Sequence, residues 1–93
     1  TLADMRQEFW VISLADSTLR DRLVASNFSG AARPDVRAVV ASLERLITAD
    51  AQIVSAPSDL VATDAYKRYL DADASEKAAA EMLSKTLRDV TRS

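Results

Sequence analysis

The most regular apolar pattern in the sequence lies between its two prolines, Pro34 and Pro57. Branched aliphatic side chains recur there every three or four residues, at Val36, Val39, Val40, Leu43, Leu46, Ile47, Ile53 and Val54. This spacing places the side chains on one face of an α-helix. The pattern predicts a central helix over Asp35–Val54, whose apolar face must be covered by the rest of the chain.

A similar pattern precedes the central helix, but Asp16 interrupts it. The apolar positions of this segment are Leu2, Met5, Phe9, Ile12, Leu19 and Leu23. Asp16 and the Ser and Thr that follow it are all residues that cap helix N-termini. The sequence therefore predicts one helix over residues 2–15 and a second over residues 18–26, with a single kinked helix as the alternative.

Two further helices are predicted after the central one. Pro57 and Ser58 form a helix start, with Ser58 as the N-cap of a helix that runs through Leu70. The residues Asp, Ala, Ser and Glu at 73–76 are typical of a cap and predict that a last helix begins there. Asp50, in the seam of the central helix, is an alternative early end for that helix. The predicted fold is all-α, a small four- to five-helix bundle.

The composition agrees with one folded, soluble domain over residues 1–93. Hydrophobic residues make up 48% of the chain and charged residues 28%, with a single glycine. Such a chain is too apolar to be disordered. Its longest apolar runs, such as Phe9–Ile12, fall far short of the roughly 20 residues that a membrane span requires. Because the chain opens on Thr1 rather than Met, we expect a processed protein or a piece of a longer one.

The absence of histidine and cysteine removes most kinds of catalytic site. The chain cannot build a nucleophile activated by histidine, nor an imidazole or thiolate metal site. A single glycine also excludes a P-loop or a related phosphate-binding loop. The sequence therefore predicts a protein that is not an enzyme and that needs no cofactor.

The densest group of carboxylates is Asp71, Asp73 and Glu76, which begins like a calcium-binding EF-hand loop. That loop requires glycine at its sixth position and a bidentate glutamate at its twelfth. Glu76 and Met82 occupy those two positions. We therefore expect these residues to cap a helix and not to bind a metal.

The one candidate binding site is apolar and lies in the first helix. At about 100° per residue, Trp10, Val11 and Leu14 point away from the seam that contains Phe9 and Ile12. Either this helix lies in the middle of the bundle and is covered on both sides, or its second face binds a partner. That partner would be another protein or a second copy of the chain.

These patterns favour a noncatalytic module for protein–protein interaction, an adaptor or a regulatory domain. Two alternatives stay open: a helical sensor that binds a small molecule between its helices, and a small DNA-binding regulator. The arginine pairs Arg33 with Arg37 and Arg88 with Arg92 would be the phosphate contacts of such a regulator. Their acidic neighbours and the net charge of -2 argue against a nucleic-acid partner.

Overall fold

Three long α-helices form the fold. The computed structural model describes residues 1–92, in which α1 is Leu2–Ala25, α2 is Ala32–Val54 and α3 is Asp59–Arg92. These residues contain no β-strand. The predicted all-α fold is confirmed, whereas the predicted number of four to five helices is wrong. None of the described helices is long and apolar enough to cross a membrane.

Short connections make consecutive helices neighbours that run in opposite directions. In the first connection Gly30 has a φ of 63°, which lies in the left-handed region. In the second, the Ser58 hydroxyl accepts a hydrogen bond of 3.3 Å from the backbone N–H of Val61. The prediction that Ser58 caps the following helix is therefore confirmed. The central helix ends at Val54, before Pro57, as its apolar pattern predicts.

Replacing Gly30 by alanine is expected to cost about 1 kcal/mol of folding stability, because a Cβ disfavours the left-handed conformation. No atom lies within 4 Å of the position that the Cβ would take, so crowding adds nothing to this cost. Urea unfolding measures the change. Gly30→Asn should lose less, since asparagine tolerates this conformation better. An alanine variant as stable as the wild type would contradict the expectation.

The first helix continues through Asp16 without a break, so the predicted boundary there is wrong. The Thr18 hydroxyl donates a hydrogen bond of 2.8 Å to the Leu14 carbonyl of its own helix and does not cap a new one. Aspartate, serine and threonine disfavour a helix interior by only several tenths of a kcal/mol each. Packing of the apolar seam on both sides of Asp16 outweighs that cost.

The predicted helix start at residues 73–76 is also wrong, because their side chains form other contacts. Ser75 accepts a hydrogen bond from Arg45 of α2, and Arg45 also binds the Asp71 carboxylate at 2.7 Å. One turn along α3, the Asp73 carboxylate binds the Lys77 ammonium at 3.0 Å. The acidic residues therefore link α3 to α2 and stabilise the helix surface, and α3 runs through them uninterrupted.

The central helix α2 packs against both of the others and supplies most of the core. Its buried apolar side chains are Ala32, Val36, Val39, Leu43, Leu46, Ala49 and Ile53. The α3 helix meets this face with small buried residues, Ala62, Ala65 and Ala72, which allow a close approach of the two backbones. Among the described residues of α1, only Phe9 is buried. The α1 helix is therefore anchored by less apolar surface than α3.

Long side chains connect α1 to the other helices. Near the start of α1, the Arg6 guanidinium donates a hydrogen bond to the carbonyl of Ala56, just beyond the end of α2. One turn later, the Phe9 ring packs edge-on against the rings of Tyr66 and Tyr69 of α3, at centroid distances of 6.0 and 4.9 Å. These contacts fix α1 antiparallel to α2 and beside the first half of α3.

Candidate functional site

The side of α1 that faces away from the core is apolar and uncovered. Trp10, Val11 and Leu14 are 58%, 59% and 54% exposed. We call these three residues the outer face. Their neighbour Phe9 is buried on the opposite side of the helix, at 4% exposure. Of the two arrangements that the sequence allows, the structure has the one in which the second apolar face of this helix is open to solvent.

The outer face lies in an uncharged stripe along α1. Ala3, Gln7 and Thr18 extend the side of the helix that carries Trp10 and Leu14. At 1.5 Å per residue, the stripe from Ala3 to Thr18 is about 22 Å long. Glu8, which is exposed, borders it one turn before Val11. The surface is therefore an uncharged strip four turns long, with the apolar outer face at its centre and a negative charge at its edge.

Other exposed apolar residues do not form a comparable patch. The most exposed large apolar side chains of α3 are eight to twelve residues apart in the sequence: Leu60, Leu70, Met82 and Val90. Val61 and Leu87 lie beside Leu60 and Val90 but are only 40% and 38% exposed, so the described part of α3 carries pairs of exposed apolar residues and no group of three that are each more than half exposed. In contrast, Trp10, Val11 and Leu14 share little more than one turn of helix. The outer face is the most concentrated exposed apolar surface of these two helices.

Each helix also carries one carboxylate in line with its core-facing residues. The alternating three- and four-residue spacing of the apolar seams includes Asp16 in α1, Asp50 in α2 and Glu76 in α3. The seams face one another, and folding brings Asp16 close to each of the other two carboxyl groups. Asp16 consequently acts electrostatically on both Asp50 and Glu76. We call these three residues the carboxyl layer.

Asp50 is the most deeply buried member of the carboxyl layer, with 0% of its surface exposed. Among the described residues, no N–H or O–H group donates a hydrogen bond to either Asp50 oxygen or to Oδ2 of Asp16. Burial raises the pKa of Asp50 to about 8. The negative charge of Asp16 acts in the same direction, as does the hydrogen bond that the two carboxyl groups form once Asp50 carries a proton. Asp50 is therefore mostly protonated at neutral pH.

The surroundings of the carboxyl layer are negative. Partial burial raises the pKa of Glu76, and the charges of Asp73 and Asp16 raise it further. Burial likewise raises the pKa of Tyr69, with added effects from the neighbouring carboxylates. The Lys77 charge acts on Glu76 in the opposite direction, but its ammonium is bound to Asp73. The local charge balance thus favours the retention of a proton.

The acidic residues are not arranged as a metal site. Residues 1–92 contain no group of three or more carboxylates positioned to hold a metal ion. In the sequence cluster that begins like a calcium loop, Asp71 is bound to Arg45 of α2 and Asp73 is bound to Lys77 of α3. These residues therefore act as partners of basic side chains.

Three of the arginine side chains, Arg33, Arg45 and Arg68, line surface grooves. Arg45 and Arg68 border a groove of about 490 Å³ between α2 and α3. The first is bound to Asp71, and the second donates a hydrogen bond of 3.0 Å to the side chain of Gln52. A second groove, of about 520 Å³, lies beside the end of α1 and includes Arg33. Both grooves are open to solvent, so they offer little enclosure for a small molecule.

Comparisons of the chain with protein-family models, with curated proteins and with solved structures found no match. Function must therefore be inferred from the chemistry of the site residues. The apolar pattern identified the outer face, but sequence reasoning interpreted Asp16 as a helix boundary and Asp50 as an alternative one. The missed signal is that Glu76 occupies the corresponding position in α3, so that each helix has an acidic residue in line with its core residues.

Proposed function

We propose that this domain is a noncatalytic protein-interaction module, an adaptor or regulatory element, whose docking surface is the outer face of α1. The observation that carries the proposal is the exposure of three adjacent large apolar side chains, Trp10, Val11 and Leu14, each more than half open to solvent. Small soluble domains rarely leave such a cluster uncovered unless it binds something. The lack of histidine and cysteine supports a noncatalytic role.

The composition of the outer face suits a protein partner. Tryptophan is among the residues most enriched at the energetic centres of protein interfaces. Trp10 is flanked by aliphatic side chains that can exclude water around it once a partner is bound. The stripe lies on a long helix anchored at Phe9, so little conformational entropy is lost when a partner docks.

The shape and charge of the stripe indicate the kind of partner that it fits. An uncharged strip of about 22 Å, with three large apolar side chains at its centre, matches roughly four turns of another amphipathic helix. Glu8 and Asp4, both exposed, border the strip on the Val11 side. We therefore expect the partner helix to carry aliphatic residues along one face, with lysine or arginine beside them.

The substitution Trp10→Ala tests this function. We expect partner binding to weaken by about 2 kcal/mol or more, roughly 30-fold in Kd, because the anchor of the interface is lost. Folding stability should fall by about 1 kcal/mol or less, since Trp10 is not part of the core. Baits carrying the wild-type and variant domains are used to capture the partner from the host cell, and Kd is then measured by calorimetry with the purified partner.

Leu60→Ala is the matched control, because Leu60 is an apolar residue on α3 that is 73% exposed and lies outside the outer face. It should bind as the wild type does. Sedimentation velocity adds a second arm: a wild-type dimer that Trp10→Ala converts to a monomer would identify the partner as a second copy of the chain. Equal binding by Trp10→Ala and the wild type would overturn the proposal.

A further inference from the structure

We propose that Asp16 and Asp50 share a proton inside the bundle and that this proton holds α1 against the α2–α3 hairpin. When the proton is lost, α1 detaches from the hairpin. The inference is independent of the docking surface on the outer face. It concerns the opposite side of α1, where the carboxyl layer crosses the core.

The shared proton follows from the unpartnered oxygens. Asp50 is fully buried, and neither of its oxygens accepts a hydrogen bond from an N–H or O–H group of the described residues; the same holds for Oδ2 of Asp16. Two ionised carboxylates cannot bond to each other, because both only accept. A proton on Asp50 turns one oxygen into a donor to Asp16 and removes one buried charge. A buried acid that gains both effects retains its proton at pH values well above those at which an exposed carboxyl group ionises.

The groups around Asp50 come from both packed helices, and the charge of Asp16 among them favours the protonated form. Asp16 faces it from α1. Tyr69 and Glu76 lie on the facing seam of α3, and Asp73 adds a further negative charge on that helix. The ammonium of Lys77 is held by Asp73. Once Asp50 ionises, its charge and that of Asp16 repel across the α1–α2 interface.

The α1 helix is the element that such repulsion displaces most easily. Among its described residues only Phe9 is buried, whereas α3 buries three alanines. One of these, Ala72, joins the buried cluster of α2, and the partly buried Tyr69, Ala79 and Leu83 of α3 pack against that cluster. Parts of a protein that bury little apolar surface open at lower free energy than the rest. Ionisation of the layer is therefore expected to detach α1 before the α2–α3 hairpin unfolds.

The direction of the pH dependence follows from proton linkage. The pKa of Asp50 is about 8 in the folded protein, against an ordinary value of 3.8. Between these values the folded state binds one more proton than the open state, so the opening equilibrium constant rises about tenfold per pH unit. The rise levels off above pH 8, when Asp50 is ionised in both states. The attachment of α1 to the α2–α3 hairpin is thus strongest in mild acid and weakest in mild alkali.

Thiol labelling can test this directly, because the chain has no native cysteine. Ile12→Cys reports on the α1 interface, and Ala72→Cys, at a position 1% exposed, reports on the α2–α3 interface. Protection from a pyridyl disulfide reagent is measured from pH 5 to pH 9, relative to a urea-unfolded sample at each pH. We expect protection at position 12 to fall about 100-fold between pH 5 and pH 7 and to level off above pH 8. Position 72 should change much less.

The same measurement in an Asp50→Asn background identifies the responsible group. Asparagine has nearly the same shape and donates a hydrogen bond to Asp16 without titrating, so the pH dependence at position 12 should flatten to less than threefold. Asp64→Asn, which removes an exposed carboxylate of α3, should leave the wild-type pH dependence unchanged. An equal pH dependence with and without Asp50→Asn would overturn the shared proton. Equal loss of protection at positions 12 and 72 would overturn the selective release of α1.

Discussion

Leu43→Ala is expected to lower the free energy of unfolding by about 3 to 5 kcal/mol. Leu43 lies at the centre of α2, is 1% exposed, and packs with Val39, Leu46 and Ala72. Removing its three terminal carbons leaves a cavity that the rigid helices around it can only partly fill. Because small domains are stable by only about 5 to 15 kcal/mol, this substitution removes a large share of the total.

Equilibrium unfolding in urea, followed by far-ultraviolet circular dichroism, measures the loss. Leu60→Ala makes the same chemical change at a leucine that is 73% exposed, and it should alter stability by about 0.5 kcal/mol or less. A similar change in both variants would show that burial at position 43 is not what stabilises the domain.

Phe9→Ala is expected to have the second large effect, again about 3 to 5 kcal/mol. Phe9 is 4% exposed and joins the buried residues Ile53 and Ala65, so it connects α1 to both other helices. Its edge-on contacts with Tyr66 and Tyr69 add about 0.5 to 1.5 kcal/mol each beyond simple burial. Without this ring, α1 loses its one buried anchor.

The neighbouring residue provides the control for this prediction. Trp10 is also aromatic but points to solvent, so Trp10→Ala should cost about 1 kcal/mol or less. Urea unfolding gives the two free energies. Near-ultraviolet circular dichroism, which responds to the packing of Tyr66 and Tyr69, should lose intensity in Phe9→Ala. Trp10→Ala removes the only tryptophan and its own near-ultraviolet signal, so that variant is compared by urea unfolding alone. The reverse order of the two effects would contradict the orientation assigned to α1.

Much of the fold could be predicted from local patterns. The central helix ends before Pro57 as predicted, although it begins at Ala32, three residues before the predicted Asp35, and its apolar face is the face that the structure buries. Helical spacing also separated the core side of α1, with Phe9, from the outer side, with Trp10. These features are decided by neighbours within one or two helical turns, so a single sequence reveals them. Whether the outer face binds a partner stays a prediction.

The helix boundaries could not be predicted in the same way. When only neighbouring residues in the sequence are considered, Asp16, Ser75 and Asp50 all have side chains that can cap a helix. In the folded protein each of them instead meets a residue from another helix. Ser75 accepts a hydrogen bond from Arg45, 30 positions earlier in the chain, and Asp50 meets Asp16 across the core. Tertiary contacts therefore overrode the local preference to start a new helix.

The sequence by itself determined that the chain is helical, where the central helix lies, and which side of α1 faces away from the core. The tertiary structure alone decided that there are three helices and that Asp16, in the seam of α1, lies close to the seam carboxylates Asp50 of α2 and Glu76 of α3. The physical reason is the distance along the sequence over which each interaction acts. Helical spacing and turn residues act within a few positions, whereas the burial of a charge depends on which segments the fold brings into contact.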